Sequence, residues 1–188
     1  MPKLGMEPIR REALVNATIA EVGAAGSLDV TVSAISKRAG MSSALAHHYF
    51  GGKEQIFLAA MRHILRGFGD EVRVRLAEAH GPRQRLNALI EASFADSCFD
   101  PGVISAWLNF YVQAQQSEDA MRLLRVYQRR LRSNLIFALR PMVREPGTLA
   151  DAIAALIDGL YIRAALGTGE ADPVATVLAL CAPHLEDA

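Results

Sequence analysis

Cysteine and excess charge of either sign are both scarce in this chain of 188 residues. The two cysteines, Cys98 and Cys181, lie far apart, which excludes a disulfide framework and a metal site built on a cysteine pair. Twenty basic residues balance twenty acidic residues, so the composition argues against bulk nonspecific binding to nucleic acid. The balance does not exclude a local basic patch, because net charge carries no information about where the charges lie.

The chain also lacks an apolar segment of the kind that targets or anchors a protein. Its first twelve residues contain no apolar stretch typical of a secretory signal. The longest uncharged run, residues 101–117, includes Ser105, Asn109 and several glutamines, which makes it too polar to span a bilayer. Because hydrophobic residues still make up 51% of the chain, a packed core is expected. We therefore expect a soluble, cytoplasmic protein with no membrane partner.

Helix-forming residues dominate, and alternation of β-branched residues is almost absent, which predicts an all-α fold. Thr31, Ser42 and Ser117 are expected to cap helices, and Pro101 and Pro173 are expected in first turns. Glycine and proline divide the chain into about nine predicted helices, at approximately 8–22, 31–39, 42–50, 53–80, 83–98, 101–115, 117–140, 148–167 and 173–184.

The first three predicted helices are short, and the second and third are joined by a tight turn, residues 39–42. Gly40 permits the left-handed conformation of such a turn, and Ser42 can cap the following helix. This spacing is typical of a helix-turn-helix. The residues predicted to pack the two helices down are Ala34, Ile35, Ala39, Leu45, Tyr49 and Phe50.

The outward face of the third helix carries short or planar side chains, which suit contacts with phosphates and base edges in a major groove. These side chains are Ser42, Ser43, Ala44, His47 and His48. Lys37, Arg38 and Lys53 flank them. A helical hairpin with a solvated charged face is the alternative interpretation of the same residues.

The stretch TVSAISKRAGMSSALAHHYFGGKEQIF resembles the DNA-binding core of the TetR family of bacterial repressors. The matching residues are Thr31, Ile35, Ala39, Gly40, Ser42, Tyr49, Phe50, Lys53 and Glu54. The resemblance implies a DNA-binding domain at 1–53 and an effector-binding and dimerisation domain at 54–188. It also implies DNA-facing positions, several of them touching phosphate, at Thr31, Lys37, Arg38, Ser42, Ser43, His48, Tyr49 and Lys53. The family commonly has tyrosine at position 47, where His47 could donate one hydrogen bond instead.

Aromatic residues are concentrated in the second half of the chain, where eight of twelve lie between Phe94 and Tyr161. Trp107, Phe110 and Tyr111 share one face of a predicted helix. Asp158 lies in an apolar run, where a lone carboxylate is costly to bury. Rings and a carboxylate suit a quaternary ammonium, which has no N–H group to donate. An aromatic stripe is more commonly core, and a nearby arginine is an alternative partner for Asp158.

Within the TetR family, the chain is similar to repressors of glycine-betaine synthesis genes that respond to choline. The resemblance rests on the segments MPKLGM, IRR, AWLNF, RRLRSNL and ALIDGLYIRAAL. It implies a repressor of the choline-to-glycine-betaine pathway that acts in osmotic stress and is relieved by choline or a related trimethylammonium compound. The candidate ligand-binding residues are Trp107, Phe110, Tyr111, Asp158 and Tyr161.

The last two predicted helices are apolar on more than one face, and small residues such as Ala155 and Gly159 permit close helix approach. A monomer of this size need not bury so wide a surface, so we expect a homodimer through these helices. Its two recognition helices would then lie about one DNA turn apart, which suits an imperfect palindrome in double-stranded operator DNA. Internal burial within one chain is the alternative.

No arrangement of residues points to catalysis: the five histidines include no HExxH, and no glycine-rich loop follows a strand. We therefore predict a protein that is not an enzyme and has neither a cofactor nor a metal site. A TetR-like sensor of a hydrophobic drug or lipid remains an alternative, and its response would not depend on Asp158. A helical adaptor without a DNA role is another, and replacing Lys37 and Lys53 would leave its activity unchanged.

Overall fold

The computed structural model describes residues 5–169 and 172–185, which contain nine α-helices and no strand. The α-helices are α1 (Met6–Ala25), α2 (Val32–Arg38), α3 (Ser43–Phe50), α4 (Lys53–Glu78), α5 (Pro82–Ser93), α6 (Pro101–Ala114), α7 (Glu118–Leu139), α8 (Pro146–Ala165) and α9 (Pro173–Cys181). Short 3-10 helices at Asp96–Phe99 and Ala182–His184 follow α5 and α9. The predicted all-α class is confirmed. No helix in these ranges combines the length and apolar composition needed to cross a bilayer.

Side-chain caps and prolines begin most of the later helices where the sequence predicts. The Ser117 hydroxyl accepts a hydrogen bond from the Ala120 amide at 3.3 Å, at the start of α7. Asp172 caps α9 by accepting from the amides of Val174 and Ala175 at 2.9 and 3.2 Å. Pro101 and Pro173 are the first residues of α6 and α9. Local cap chemistry therefore places these helix starts without help from tertiary contacts.

Two predicted helix ends are wrong. The prediction ends the first helix at residue 22, but α1 continues through Gly23 to Ala25, and Gly26 follows with φ of 64°. Gly23 serves close packing instead, because a Cβ at this position would lie 2.7 Å from the Cα of Gly102 in α6. The prediction also continues the fifth helix to residue 98, whereas α5 ends at Ser93. The short polar residues of the DSCF segment that follows are poor helix formers.

The chain divides into two compact units. The first contains the described residues through Arg66 together with Asp100–Arg122, and the second contains Gly67–Phe99 and the described residues from Leu123 onward. In the first unit, α1 packs against α2 and α6, and α2 packs against α3. Its fully buried residues include Leu14, Ile35, Ala46, Ile56, Leu58, Met61 and Phe110.

The second unit has a core of its own, formed by α5, α7, α8 and α9. Its fully buried residues include Leu86, Leu89, Ile90, Leu135, Leu139, Ile153 and Cys181. Cys98 and Cys181 do not form a disulfide bond with each other. Burial raises the pKa of both thiols. Both thiols are therefore protonated at neutral pH.

Candidate functional site

The turn between α2 and α3 has the geometry of a helix-turn-helix. Gly40 lies in the left-handed region with φ of 67°. Its amide donates to the Lys37 carbonyl at 3.1 Å, and the amide of Met41 donates to the Ser36 carbonyl at 2.9 Å. These bonds close the end of α2, and Ser42 then begins α3 in an extended conformation. A glycine at position 40 is needed because other residues adopt this conformation at a cost.

Thr31 and Ser42 cap the two helices with their hydroxyl oxygens. Thr31 accepts a hydrogen bond from the Ala34 amide at 3.0 Å, and Ser42 accepts from the Leu45 amide at 3.2 Å. Each hydroxyl keeps its own proton after accepting these bonds. Both side chains are therefore fixed in position and still able to donate to a phosphate oxygen.

The side chains predicted to face DNA are mostly exposed. Ser42, Ala44, His47 and His48 are exposed on and before α3, and Ser43 is half-buried. On the opposite side of α3, Ala46 is fully buried, whereas Leu45 is only half-buried. The prediction that Leu45 packs α3 down is thus correct only in part.

His47 has one ring nitrogen engaged within the protein. Its Nδ1 lies 2.9 Å from the Gly51 carbonyl oxygen at the end of α3. A carbonyl only accepts, so Nδ1 carries the proton, and Nε2 of the neutral ring is then an acceptor. His47 can donate the expected hydrogen bond to a phosphate through Nε2 only when the ring is doubly protonated.

Three cations lie beside this face. Lys37, Arg38 and Lys53 are exposed, and Arg38 donates through Nε to the Glu21 carboxylate at 2.5 Å. The ion pair fixes the Arg38 guanidinium and uses only one of its five N–H groups. Lys37 and Lys53 form no ion pair within residues 5–169 and 172–185.

Arg11 contributes to this surface although the sequence does not point to it. Its guanidinium lies over the rings of Tyr49 and Phe50, at 5.4 and 5.0 Å from their centroids. Glu7 accepts a hydrogen bond from the same guanidinium at 2.8 Å. Tyr49, a predicted DNA-facing residue, is half-buried and held by α1. No local pattern connects positions 11 and 49, so sequence reasoning could not find this contact.

The aromatic residues of α6 form a cluster in the first unit. The ring of Trp107 lies 5.8 Å from that of Phe110 and 5.9 Å from that of Tyr111. Phe110 is fully enclosed and also contacts Phe57, at 6.5 Å between ring centroids. Trp107 keeps 8% of its surface exposed, and Tyr111 is half-buried. The predicted sharing of one helix face therefore gives a contiguous group of rings.

Asp158 and Tyr161 lie on α8 in the second unit, one helical turn apart. The Tyr161 hydroxyl donates to the Cys98 carbonyl at 2.8 Å, and its ring lies 5.2 Å from that of Phe99. Asp158 is half-buried. The five candidate ligand-binding residues thus form two groups, three on α6 and two on α8.

Comparison with known proteins identifies both halves of the chain. Residues 14–60 match the family of bacterial regulatory proteins named after TetR, and residues 82–188 match the C-terminal family of BetI-type transcriptional repressors. The HTH-type transcriptional regulator BetI of Brucella anthropi is 51% identical over 187 residues, which cover 98% of this chain and 96% of that relative. The chain belongs to the TetR family, in its BetI-type branch.

Solved structures show the same fold in other transcriptional regulators. A transcriptional regulator from Pseudomonas aeruginosa PAO1 superposes with a TM-score of 0.81 at 25% identity, covering 96% of this chain and 90% of that one. A transcriptional regulator from Saccharomonospora viridis, solved in complex with choline, gives a TM-score of 0.82 at 20% identity and covers 95% and 98%. The latter likeness concerns the fold alone.

Membership of the TetR family decides between several of the interpretations. TetR-family proteins are DNA-binding transcriptional regulators that dimerise, so the prediction of a regulator rather than an enzyme is confirmed. The same finding excludes the helical adaptor without a DNA role. For a TetR-family chain, the α2–α3 surface is the natural candidate for contact with the operator.

Proposed function

We propose that this BetI-type regulator is a homodimeric repressor of the choline-to-glycine-betaine pathway genes, and that choline or a related trimethylammonium compound relieves the repression. Each protomer would place α3 in a major groove of an imperfect palindrome. The proposal rests chiefly on the match of residues 82–188 to the BetI-type C-terminal family. The matched residues lie in the part of the chain, 54–188, that is predicted to bind the effector.

The α2–α3 surface supports the DNA half of the proposal. The hydroxyls of Thr31 and Ser42 are fixed by capping bonds, and Lys37 and Lys53 are exposed and form no ion pair among the described residues. Hydroxyls and cations of this kind position a protein on the phosphate backbone. The small exposed side chain of Ala44 leaves room for close approach to base edges.

The aromatic cluster on α6 supports the effector half. Each ring that faces a quaternary ammonium contributes about 0.5–2 kcal/mol, so two such rings supply about 1–4 kcal/mol, which reaches millimolar affinity at its upper end. Trp107 and Tyr111 are the members of the cluster with exposed surface. The Saccharomonospora viridis regulator, which has the same fold, binds choline. Choline can act only through its different affinities for the DNA-binding and released states.

Fluorescence anisotropy with a labelled duplex from the gene's own upstream region tests the proposal. We expect nanomolar binding that millimolar choline weakens. Trp107→Ala should abolish the choline response and change operator affinity by no more than a few-fold, because the ring contacts the effector and not DNA. Tyr111→Ala, at a half-buried position, should weaken the response without removing the enclosed part of the cluster.

Phe137→Ala is the matched control for these variants. Phe137 is 61% exposed on α7 and is not one of the candidate ligand-binding residues, so loss of its ring should leave the choline response intact. Loss of operator binding and choline response together in Trp107→Ala would assign Trp107 to the core. Tight operator binding that ignores choline in the parent protein would reject choline as the effector and favour a hydrophobic one.

A further inference from the structure

A cavity of about 300 Å³ lies inside the first unit, between α1, α2, α4 and α6. None of the five candidate ligand-binding residues lines this cavity. Its volume is at the lower end of the range for small-molecule sites. The lining residues are Thr18, Val22, Leu28, Val30, Ile35, Lys53, Glu54, Phe57 and Gln113.

The buried part of this cavity is apolar. Val22, Ile35 and Phe57 have at most 3% of their surface exposed and present only carbon atoms. The buried hydroxyl of Thr18 donates to the Leu14 carbonyl at 2.7 Å, so its proton is already used. The interior therefore favours an aliphatic group over a polar one.

The exposed lining residues carry one charge of each sign. Lys53 and Glu54 are consecutive residues in the first turn of α4, and both are exposed. The Lys53 ammonium has no ion-pair partner in the described part of the chain. Glu54 accepts the Ser117 hydroxyl at 2.5 Å through Oε1, and Oε2 has no hydrogen bond among the described residues. The half-buried Gln113 also lines the cavity.

We propose that this cavity binds an apolar α-amino acid. The ligand's carboxylate would pair with Lys53, its ammonium with Glu54, and its side chain would fill the space between Val22, Ile35 and Phe57. In an apolar carboxylate without an ammonium, the negative charge would be repelled by Glu54. In an amine without a carboxylate, the positive charge would be repelled by Lys53. A zwitterion with adjacent charges and an aliphatic tail satisfies both groups and the apolar wall.

Occupancy of the cavity has a consequence for DNA binding, which rests on the proposed function. Lys53 is a predicted phosphate contact, and the ligand's carboxylate would occupy the same ammonium. The amino acid and the operator would therefore weaken each other's binding by the same factor.

Isothermal titration calorimetry on the full-length protein without DNA tests the site itself. The probes are L-leucine and two matched analogues, 4-methylpentanoate, which lacks the ammonium, and 3-methylbutylamine, which lacks the carboxylate. We expect saturable binding of one leucine per protomer and at least about tenfold weaker binding of either analogue. Absence of saturable leucine binding up to millimolar concentrations, or equal binding of all three probes, would overturn the proposal.

Charge variants at the exposed lining residues identify the cavity as the place of binding. Lys53→Met and Glu54→Gln should each weaken leucine binding about tenfold. Arg62→Met removes an exposed cation from the same helix outside the cavity and should change nothing. Leucine binding that survives both cavity variants would reject this location.

Operator titrations with and without leucine test the competition. At a leucine concentration that just saturates the parent protein, leucine should lower the parent's operator affinity and have a smaller effect on Glu54→Gln, since this variant keeps Lys53 and binds leucine about tenfold more weakly. Unchanged operator affinity of the parent at saturating leucine would reject the competition for Lys53. A protein that binds leucine but no operator would instead contradict the proposed function.

Discussion

At the scale of single residues, the hydrogen bonds already made within the protein decide what each DNA-facing group can still offer. Thr31 and Ser42 accept from backbone amides and keep their protons for donation. His47 is the opposite case, since Nδ1 faces the Gly51 carbonyl and leaves Nε2 of the neutral ring as an acceptor. Two acceptors cannot bond each other, so the neutral ring does not bind a phosphate oxygen.

His47→Gln should consequently bind the operator more tightly than the parent protein. The side-chain amide of glutamine can donate a hydrogen bond to a phosphate oxygen, whereas the neutral His47 ring presents an acceptor at Nε2. Operator titrations of the parent and His47→Gln under identical conditions measure this difference.

His48→Gln is the matched control, because His48 is exposed on the same helix and its ring nitrogens form no hydrogen bond to a carbonyl within the described residues. This substitution replaces one donor with another, so it should not tighten operator binding. Equal operator affinity of the parent and His47→Gln would show that residue 47 does not contact phosphate.

At the scale of helices, α8 exposes an unusually small and apolar face. Ala152, Ala155 and Gly159 recur at three- and four-residue intervals and are all exposed. A Cβ at Gly159 would meet nothing within 4 Å. Leu166 and Leu180, after α8 and on α9, are 59% and 42% exposed. These side chains are exposed within the described part of one chain, and we propose that a second copy of the chain covers them.

Gly159→Trp should therefore prevent dimer formation, because the indole would occupy the space that we propose for the partner's helix. The fold should remain intact, since the position is open within one chain. Sedimentation velocity should show a monomer for the variant and a dimer for the parent.

Gly67→Trp makes the same change at an exposed, open position of α4 and serves as the control. It should sediment as a dimer. A dimeric Gly159→Trp would place the dimer interface on another surface.

Helix starts could be predicted from the sequence at most of the caps and prolines. Thr31, Ser42 and Ser117 accept the capping bonds expected of them, and Pro101 and Pro173 begin α6 and α9. The start of α8 was missed, because Pro146 begins this helix two residues before the predicted residue 148. The end of α1 could not be predicted in this way, because Gly23 terminates nothing and instead packs against Gly102 in α6. The contact between the Arg11 guanidinium and the Tyr49 ring could not be predicted either. Both contacts join residues that are distant in the sequence.

At the scale of the whole molecule, DNA affinity should depend steeply on salt. A dimer carries Lys37 and Lys53 twice, and each phosphate contact contributes about 0.9 to the slope of log affinity against log salt concentration. Lys37→Met removes two such contacts per dimer and should reduce the slope by about 1.8. Operator titrations at several salt concentrations measure this.

Arg62→Met removes an exposed cation of α4 that is not predicted to face DNA, and it should keep the parental slope. A slope near zero in the parent would contradict the assignment of the α2–α3 surface to DNA. An equal reduction of the salt slope in Lys37→Met and Arg62→Met would show a general effect of charge and not a specific phosphate contact.

The division of the chain into units was the least predictable property at this scale. The resemblance to the TetR family predicts a DNA-binding domain at residues 1–53, and that assignment stays a prediction. The compact unit that contains α2 and α3 also contains Asp100–Arg122. Its cohesion depends on the packing of α1 against α6, which no local pattern in the sequence encodes.

The contact between Gly23 and Gly102 limits how this regulator can be recombined with its relatives. A hybrid repressor joined at residue 53 would set a foreign α1 against the native α6. Any residue larger than glycine at position 23 would then meet the backbone of Gly102 at 2.7 Å. Biosensors that combine a new operator specificity with this effector domain should therefore carry residues 100–122 over together with the transplanted N-terminal helices.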